Sequence, residues 1–116
     1  MPDLPEIAEE AYRQDPDPEM FLAIYELLKQ TFAEIRDESG RGYNASRAYQ
    51  SLYRNGARES VRRAILNPNA DGFGRVGDAG RLDLSYEWFA LNPRWAFAET
   101  IRERAWSKLN PELRSL

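Results

Sequence analysis

The sequence predicts an all-α single domain spanning 1–116: five or six helices packed around one long helix at about 18–39, with a Gly-rich loop at 67–83. Three observations predict it. Apolar side chains recur at helical period through the longest unbroken segment. Pro, Gly and Asn-Pro steps cut the chain into helix-length pieces. The flanks of Asn55-Gly56, the dipeptide that could signal a hairpin, do not alternate apolar with polar residues.

Residues 5–14 form a short acidic helix, with Asp3 as its cap and Pro5 in a first turn that needs no donor. Asp15-Pro16-Asp17-Pro18 breaks it. The long helix follows, with Asp17 as N-cap, Pro18 at its first position and Glu19 at the positive end of the dipole. Its stripe is Phe21, Ile24, Leu27, Leu28, Thr31/Phe32 and Ile35, and Gly40 stops it. At about 1.5 Å per residue such a helix spans roughly 33 Å. Asn44 or Ser46 caps a third helix reaching Arg54, with Ala45, Ala48, Tyr49, Leu52 and Tyr53 on its apolar side. Asn55-Gly56 ends it. A fourth helix runs from about Arg58 to Leu66, with Val61, Ala64 and Ile65 inward. Within 67–83 a turn of helix fits around Phe73 to Val76. Ser85 then caps a short helix to Leu91, and a final helix runs over about 96–109, with Phe97, Ile101, Ala105 and Leu109 on one face. Leu-Asn-Pro recurs at 66–68, 91–93 and 109–111, and each copy reads as a helix boundary.

Composition narrows the function classes. The chain has no Cys and no His. That removes disulfides, thiol nucleophiles, Ser-His-Asp triads and the usual zinc sites. The carboxylate pairs Glu6/Glu10 and Glu34/Glu38 sit at i, i+4 on single helices, which is the pattern of a solvated face rather than a catalytic cleft. The expectation is a non-enzyme with no cofactor. The N-terminus lacks the basic and apolar regions of a secretory signal, and no apolar run is long enough to cross a membrane. A cytoplasmic protein without membrane contact is expected. Fourteen Arg against two Lys suit a GC-rich bacterial coding bias.

Charge is segregated. Residues 1–40 hold eleven acidic and three basic side chains, a net of −8, whereas 41–66 hold six Arg and one Glu, a net of +5. The two blocks either pair within the chain or face a partner. The basic block has the outline of a helix-turn-helix at about 44–66, with a Gly-containing turn of about three residues. Arg58, Arg62 and Arg63 stand on the recognition-helix position, and Arg47 and Arg54 within reach of phosphates. This makes nucleic acid a candidate partner, although the chain as a whole is acidic, with a pI near 5.1.

Asn67-Pro68-Asn69-Ala70-Asp71-Gly72, with Asp78 six residues on, resembles part of a calcium loop. Asn69, Asp71 and Asp78 supply oxygens, but Arg75 occupies a ligand position and weakens the match. Gly72, Gly74 and Gly77 spell G-x-G-x-x-G without the preceding strand that a dinucleotide site needs. The aromatic run Tyr86, Trp88, Phe89, Trp95 and Phe97 is dense enough to fill a core and leave a Trp for an interface. Trp88, Phe89 and Trp95 are therefore the candidate partner-binding residues. The leading expectation is a non-catalytic protein-interaction or regulatory module, and the alternative is the Arg-rich nucleic-acid domain.

Overall fold

The computed structural model describes residues 4–35, 46–67 and 72–114. Among them the regular structure is helical: α1 (Glu6–Gln14), α2 (Pro18–Glu34), α3 (Ser46–Asn55), α4 (Ala57–Leu66), α5 (Gly72–Asp78), α6 (Tyr86–Leu91) and α7 (Glu99–Arg114). Two 3-10 turns, Leu82–Leu84 and Pro93–Trp95, flank α6. The all-α class predicted from the sequence is the class observed. The chain divides into two compact units, Met1–Ser60 and Val61–Leu116, so α4 begins in the first and ends in the second.

In the first unit α1, α2 and α3 pack on one another. Asp17 caps α2 as predicted: its carboxylate accepts from Met20 N–H at 3.1 Å, and Pro18 follows at the first helical position. Met20, Phe21, Ile24 and Leu28 are buried from α2, Ala8 from α1 and Leu52 from α3. Aromatic rings join the three helices in sequence. Tyr12 meets Phe21 at 5.9 Å, Phe21 meets Tyr53 at 6.3 Å, Tyr53 meets Tyr49 at 6.1 Å, and Tyr49 meets Tyr25 at 5.5 Å.

The long helix is shorter than predicted. It ends at Glu34, and Ile35 turns extended at φ −95°, ψ 129° while staying buried. Two causes act at that end. The last turn has no basic residue and carries Glu34 at the negative end of the dipole, where an acid is unfavourable. The Thr31 hydroxyl donates to the Leu27 carbonyl at 2.8 Å, a side-chain bond that loosens a helix. Phe32, placed on the buried stripe by periodicity, is 52% exposed. Gly40 and Asn44, the predicted stop and the alternative cap, lie outside the described residues, as does Asp3.

Between α3 and α4 lies a single residue, Gly56, at φ +86°. It closes α3 by donating to the Leu52 carbonyl, and its own carbonyl accepts from Ser60 as α4 starts. A side chain there would be strained in the left-handed region and would meet the Asp15 carboxylate at 3.4 Å.

In the second unit α6 packs on α7, and the 3-10 turn Leu82–Leu84 packs on α5 and α6. Ser85 caps α6 as expected, accepting from Trp88 N–H at 3.0 Å. Within the predicted loop 67–83 the described residues are largely helical: α5 and the first 3-10 turn fall inside it, and Val76, Leu82 and Leu84 are buried. Asn92 caps the second 3-10 turn, and Ala96 then adopts the left-handed conformation at φ 50°. This delays α7 to Glu99, three residues after the predicted start. Ile101, Ala105 and Leu109 are buried along α7 and Phe97 just before it, as their spacing predicted. The helix continues through Pro111 to Arg114, so the third Leu-Asn-Pro does not end a helix. Pro111 lacks only the N–H that would bond Ser107, and both residues are exposed, where water can serve that carbonyl.

Candidate functional site

All five candidate Arg side chains are exposed: Arg47 and Arg54 on α3, Arg58, Arg62 and Arg63 on α4. The predicted turn of about three residues is the one residue Gly56, tighter than the three or four of a DNA-binding helix-turn-helix. The acidic Asp15–Pro18 linker meets the start of α4. Asp15 bridges two segments through its carboxylate, accepting from Asp17 N–H at 2.8 Å and from Ala57 N–H at 2.9 Å. Asp17 reaches Arg58 at 3.8 Å. Part of the acidic block thus pairs with the basic block inside one unit. The Ala57 N–H at the start of α4, where a recognition helix would meet bases or phosphates, donates to a carboxylate of the protein itself.

Three faces of α3 are distinct. Tyr49 and Tyr53 turn toward Tyr25 and Phe21 of α2. Ser51 donates to Ser60 of α4 at 3.2 Å and accepts from Asn55 at 3.1 Å. Arg47, Gln50 and Arg54 are exposed at i, i+3 and i+7, one stripe of the helix. Behind that stripe, burial first, and then the neighbouring Tyr25 and Tyr53, push the Tyr49 hydroxyl up to about 12. Its ring is therefore neutral at physiological pH.

The aromatic run of the second unit separates by depth. Trp95 is buried, stacked on half-buried Phe89 at 5.1 Å and covered by the Arg94 guanidinium at 4.6 Å. Phe97 closes on Phe89 edge-to-face at 6.3 Å. Of the three partner-binding candidates, Trp95 and Phe89 thus belong to this packed stack, and Trp88 is 46% exposed. Trp106 on α7, absent from the sequence candidates, is 49% exposed. Its signal was legible: one residue after buried Ala105, it falls off the Ile101–Ala105–Leu109 face.

A buried ion pair also escaped the sequence reading. Lys108 donates to Glu87 at 3.0 Å, with side-chain exposures of only 15% and 4%. The same ammonium faces the Ala64 carbonyl at 3.4 Å, so one cation holds α4, α6 and α7 together within the second unit. Lys108 lies seven residues after Ile101 on the same helical face, and a cation within an apolar stripe asks for a buried partner.

The Gly-rich segment has helical rather than loop geometry. Gly72, Gly74 and Gly77 all lie in α5, so they do not form a phosphate-cradling turn. Asp78 is exposed at the end of α5, about 9 Å along the axis from Gly72, whereas a calcium loop turns sharply at its sixth residue and curls its later ligand positions back around one ion. Asn69 and Asp71 lie outside the described residues. No group of three or more acidic side chains able to hold a metal occurs among the described residues. Glu6, Glu10 and Glu34 are exposed, and Glu38 lies outside the described residues. No helix among the described residues is long and apolar enough to cross a membrane. Comparison with protein-family models, curated proteins and solved structures gives no match to this chain.

Proposed function

We propose that this chain is a small, non-catalytic, cytoplasmic bacterial interaction module that binds a protein partner through exposed indoles of its second unit, with Trp88 as the principal anchor and Trp106 as a further one. The observation that carries this reading is the contrast among the three Trp residues: Trp95 is 7% exposed, whereas Trp88 and Trp106 are 46% and 49% exposed. A half-exposed indole leaves about 100 Å² of aromatic surface in water, and covering it would yield about 2.5 kcal/mol. That is the scale of an interface hot spot, where Trp is over-represented. The firm seating of α6, on α7 through Glu87–Lys108 and on the second 3-10 turn through the Phe89–Trp95 stack, supports Trp88 as a pre-organised anchor.

The test is site-specific photo-cross-linking in cells, with a benzophenone side chain at position 88, at 106 and at exposed Glu112 as control. The reading expects the same discrete protein adduct from 88 and 106 and none from 112. Identical adduct patterns at all three positions, or no adduct at 88, would remove it.

A second reading is favoured by a separate observation, the exposure of all five candidate Arg residues. It makes the chain a nucleic-acid-binding domain whose contacts are chiefly to phosphate, because guanidinium groups on a helix surface neutralise a backbone without reading sequence.

A further inference from the structure

We propose that the nucleic-acid surface of this protein is the Arg47–Gln50–Arg54 stripe of α3, and not α4, which the order of helices would make the recognition helix. The inference rests on the nucleic-acid reading above and names where the polyanion sits. Two features of the helix pair single out α3. The first is that α4 is already engaged. The Asp15 carboxylate accepts from Ala57 N–H at 2.9 Å, and Asp17 sits 3.8 Å from Arg58, so a phosphate approaching that end meets two carboxylates. Arg62 and Arg63 also have partners within the chain. The second is that α3 has two of its faces occupied and one left over. The tyrosine face meets α2, and the Ser51–Asn55 face meets Ser60. The remaining stripe carries two guanidinium groups and an amide, all exposed, and neither Arg47 nor Arg54 forms an ion pair among the described residues.

Charge and spacing select the occupant. The stripe is of one sign and bears donors only at its two ends, with a central Gln able to donate or accept. Arg47 and Arg54 are seven residues apart, about 10.5 Å along the helix axis. Two cations that far apart meet separate phosphates of one strand rather than a single one. A phosphodiester backbone lying along α3 fits this pattern. The contact is to backbone, so duplexes of different sequence bind alike.

The experiment is fluorescence anisotropy of a labelled 20-base-pair duplex with the full chain, titrated at several salt concentrations from 20 to 200 mM. Two neutralised phosphates give a log–log salt slope of about −1.8, which weakens binding about 60-fold across that range. Arg47→Ala and Arg54→Ala each halve the slope, and the double variant abolishes salt-dependent binding. Arg47→Lys retains the wild-type slope, because an ammonium also neutralises a phosphate. Arg62→Ala with Arg63→Ala leaves the slope unchanged. Melting curves of each variant confirm folding, since every substituted residue is exposed. Binding that survives Arg47→Ala/Arg54→Ala but falls with Arg62→Ala/Arg63→Ala overturns the α3 assignment while keeping nucleic-acid binding. No binding by the wild type at 20 mM salt overturns both.

Discussion

Removing Lys108 tests how the second unit is held together. Its ammonium is 3.0 Å from the Glu87 carboxylate, whose side chain is 4% exposed, and 3.4 Å from the Ala64 carbonyl. Lys108→Met keeps the apolar stem and deletes the charge. It leaves a carboxylate sealed between α6 and α7 without its cation, which in buried pairs costs about 3–5 kcal/mol. The lysine end retains some contact with water, so the lower figure, about 3 kcal/mol, is expected. For a chain of 116 residues that lowers Tm by roughly 12 °C. Glu87→Gln should cost less, because an amide oxygen still accepts from the ammonium. The double variant Glu87→Leu/Lys108→Met should recover most of the loss, since a matched apolar pair replaces a buried ion pair at little net cost. The assay is thermal and urea unfolding of the wild type, both single variants and the double variant, read as a double-mutant cycle. A coupling of about 2 kcal/mol or more is expected. Additive losses, or a Lys108→Met cost below about 1 kcal/mol, would refute the reasoning and make the pair a surface contact in energy if not in position.

Three further outcomes follow from particular residues. Gly74→Ala should raise stability by about 0.5–1 kcal/mol, because the new methyl enters open space on helix α5, whereas Gly56→Ala should lower it by about 1 kcal/mol from the left-handed backbone and the nearby Asp15; chemical denaturation distinguishes the signs. Trp95→Ala should cost about 3–5 kcal/mol by emptying the Phe89–Phe97 stack, and Trp88→Ala less than about 1, again by denaturation. Tyr49 holds its proton up to about 12 in the folded protein against 10.0 for an unperturbed tyrosine, so its contribution to stability is complete below pH 10 and is lost as pH rises toward 12. Tyr49→Phe should flatten the alkaline decline in Tm over that window, and an unchanged slope would assign the decline to other groups.

Features that a few consecutive residues decide were legible in the sequence. Asp17-Pro18 and Ser85 started α2 and α6 where capping chemistry put them, because the N-cap bond joins residues three apart. The buried faces of α2 and α7 followed from period 3.6, with exposed Phe32 and half-buried Leu27 as the exceptions. Helix ends were less legible, since they depend on what lies across space. α2 stops where buried Ile35 turns extended, and α7 runs through Pro111 because the affected turn is open to water. α5 was underestimated because three glycines have poor intrinsic helicity, and the burial of Val76 that supports it is a tertiary effect. The exposure of the aromatic residues was legible in kind and not in place. A dense aromatic run announced one exposed Trp among buried neighbours, but neither the exposure of Trp88 with the burial of Trp95 nor the closure of Asp15 on Ala57, 42 residues away, is written in local pattern.

The most direct test of the interaction-module account is retention of a cross-linked partner by purified wild type, Trp88→Ala/Trp106→Ala and Arg47→Ala/Arg54→Ala, with helical content and Tm measured alongside. The account predicts that the tryptophan pair loses the partner at least tenfold with its helical signal intact, while the arginine pair retains it. Equal retention by all three proteins would contradict it.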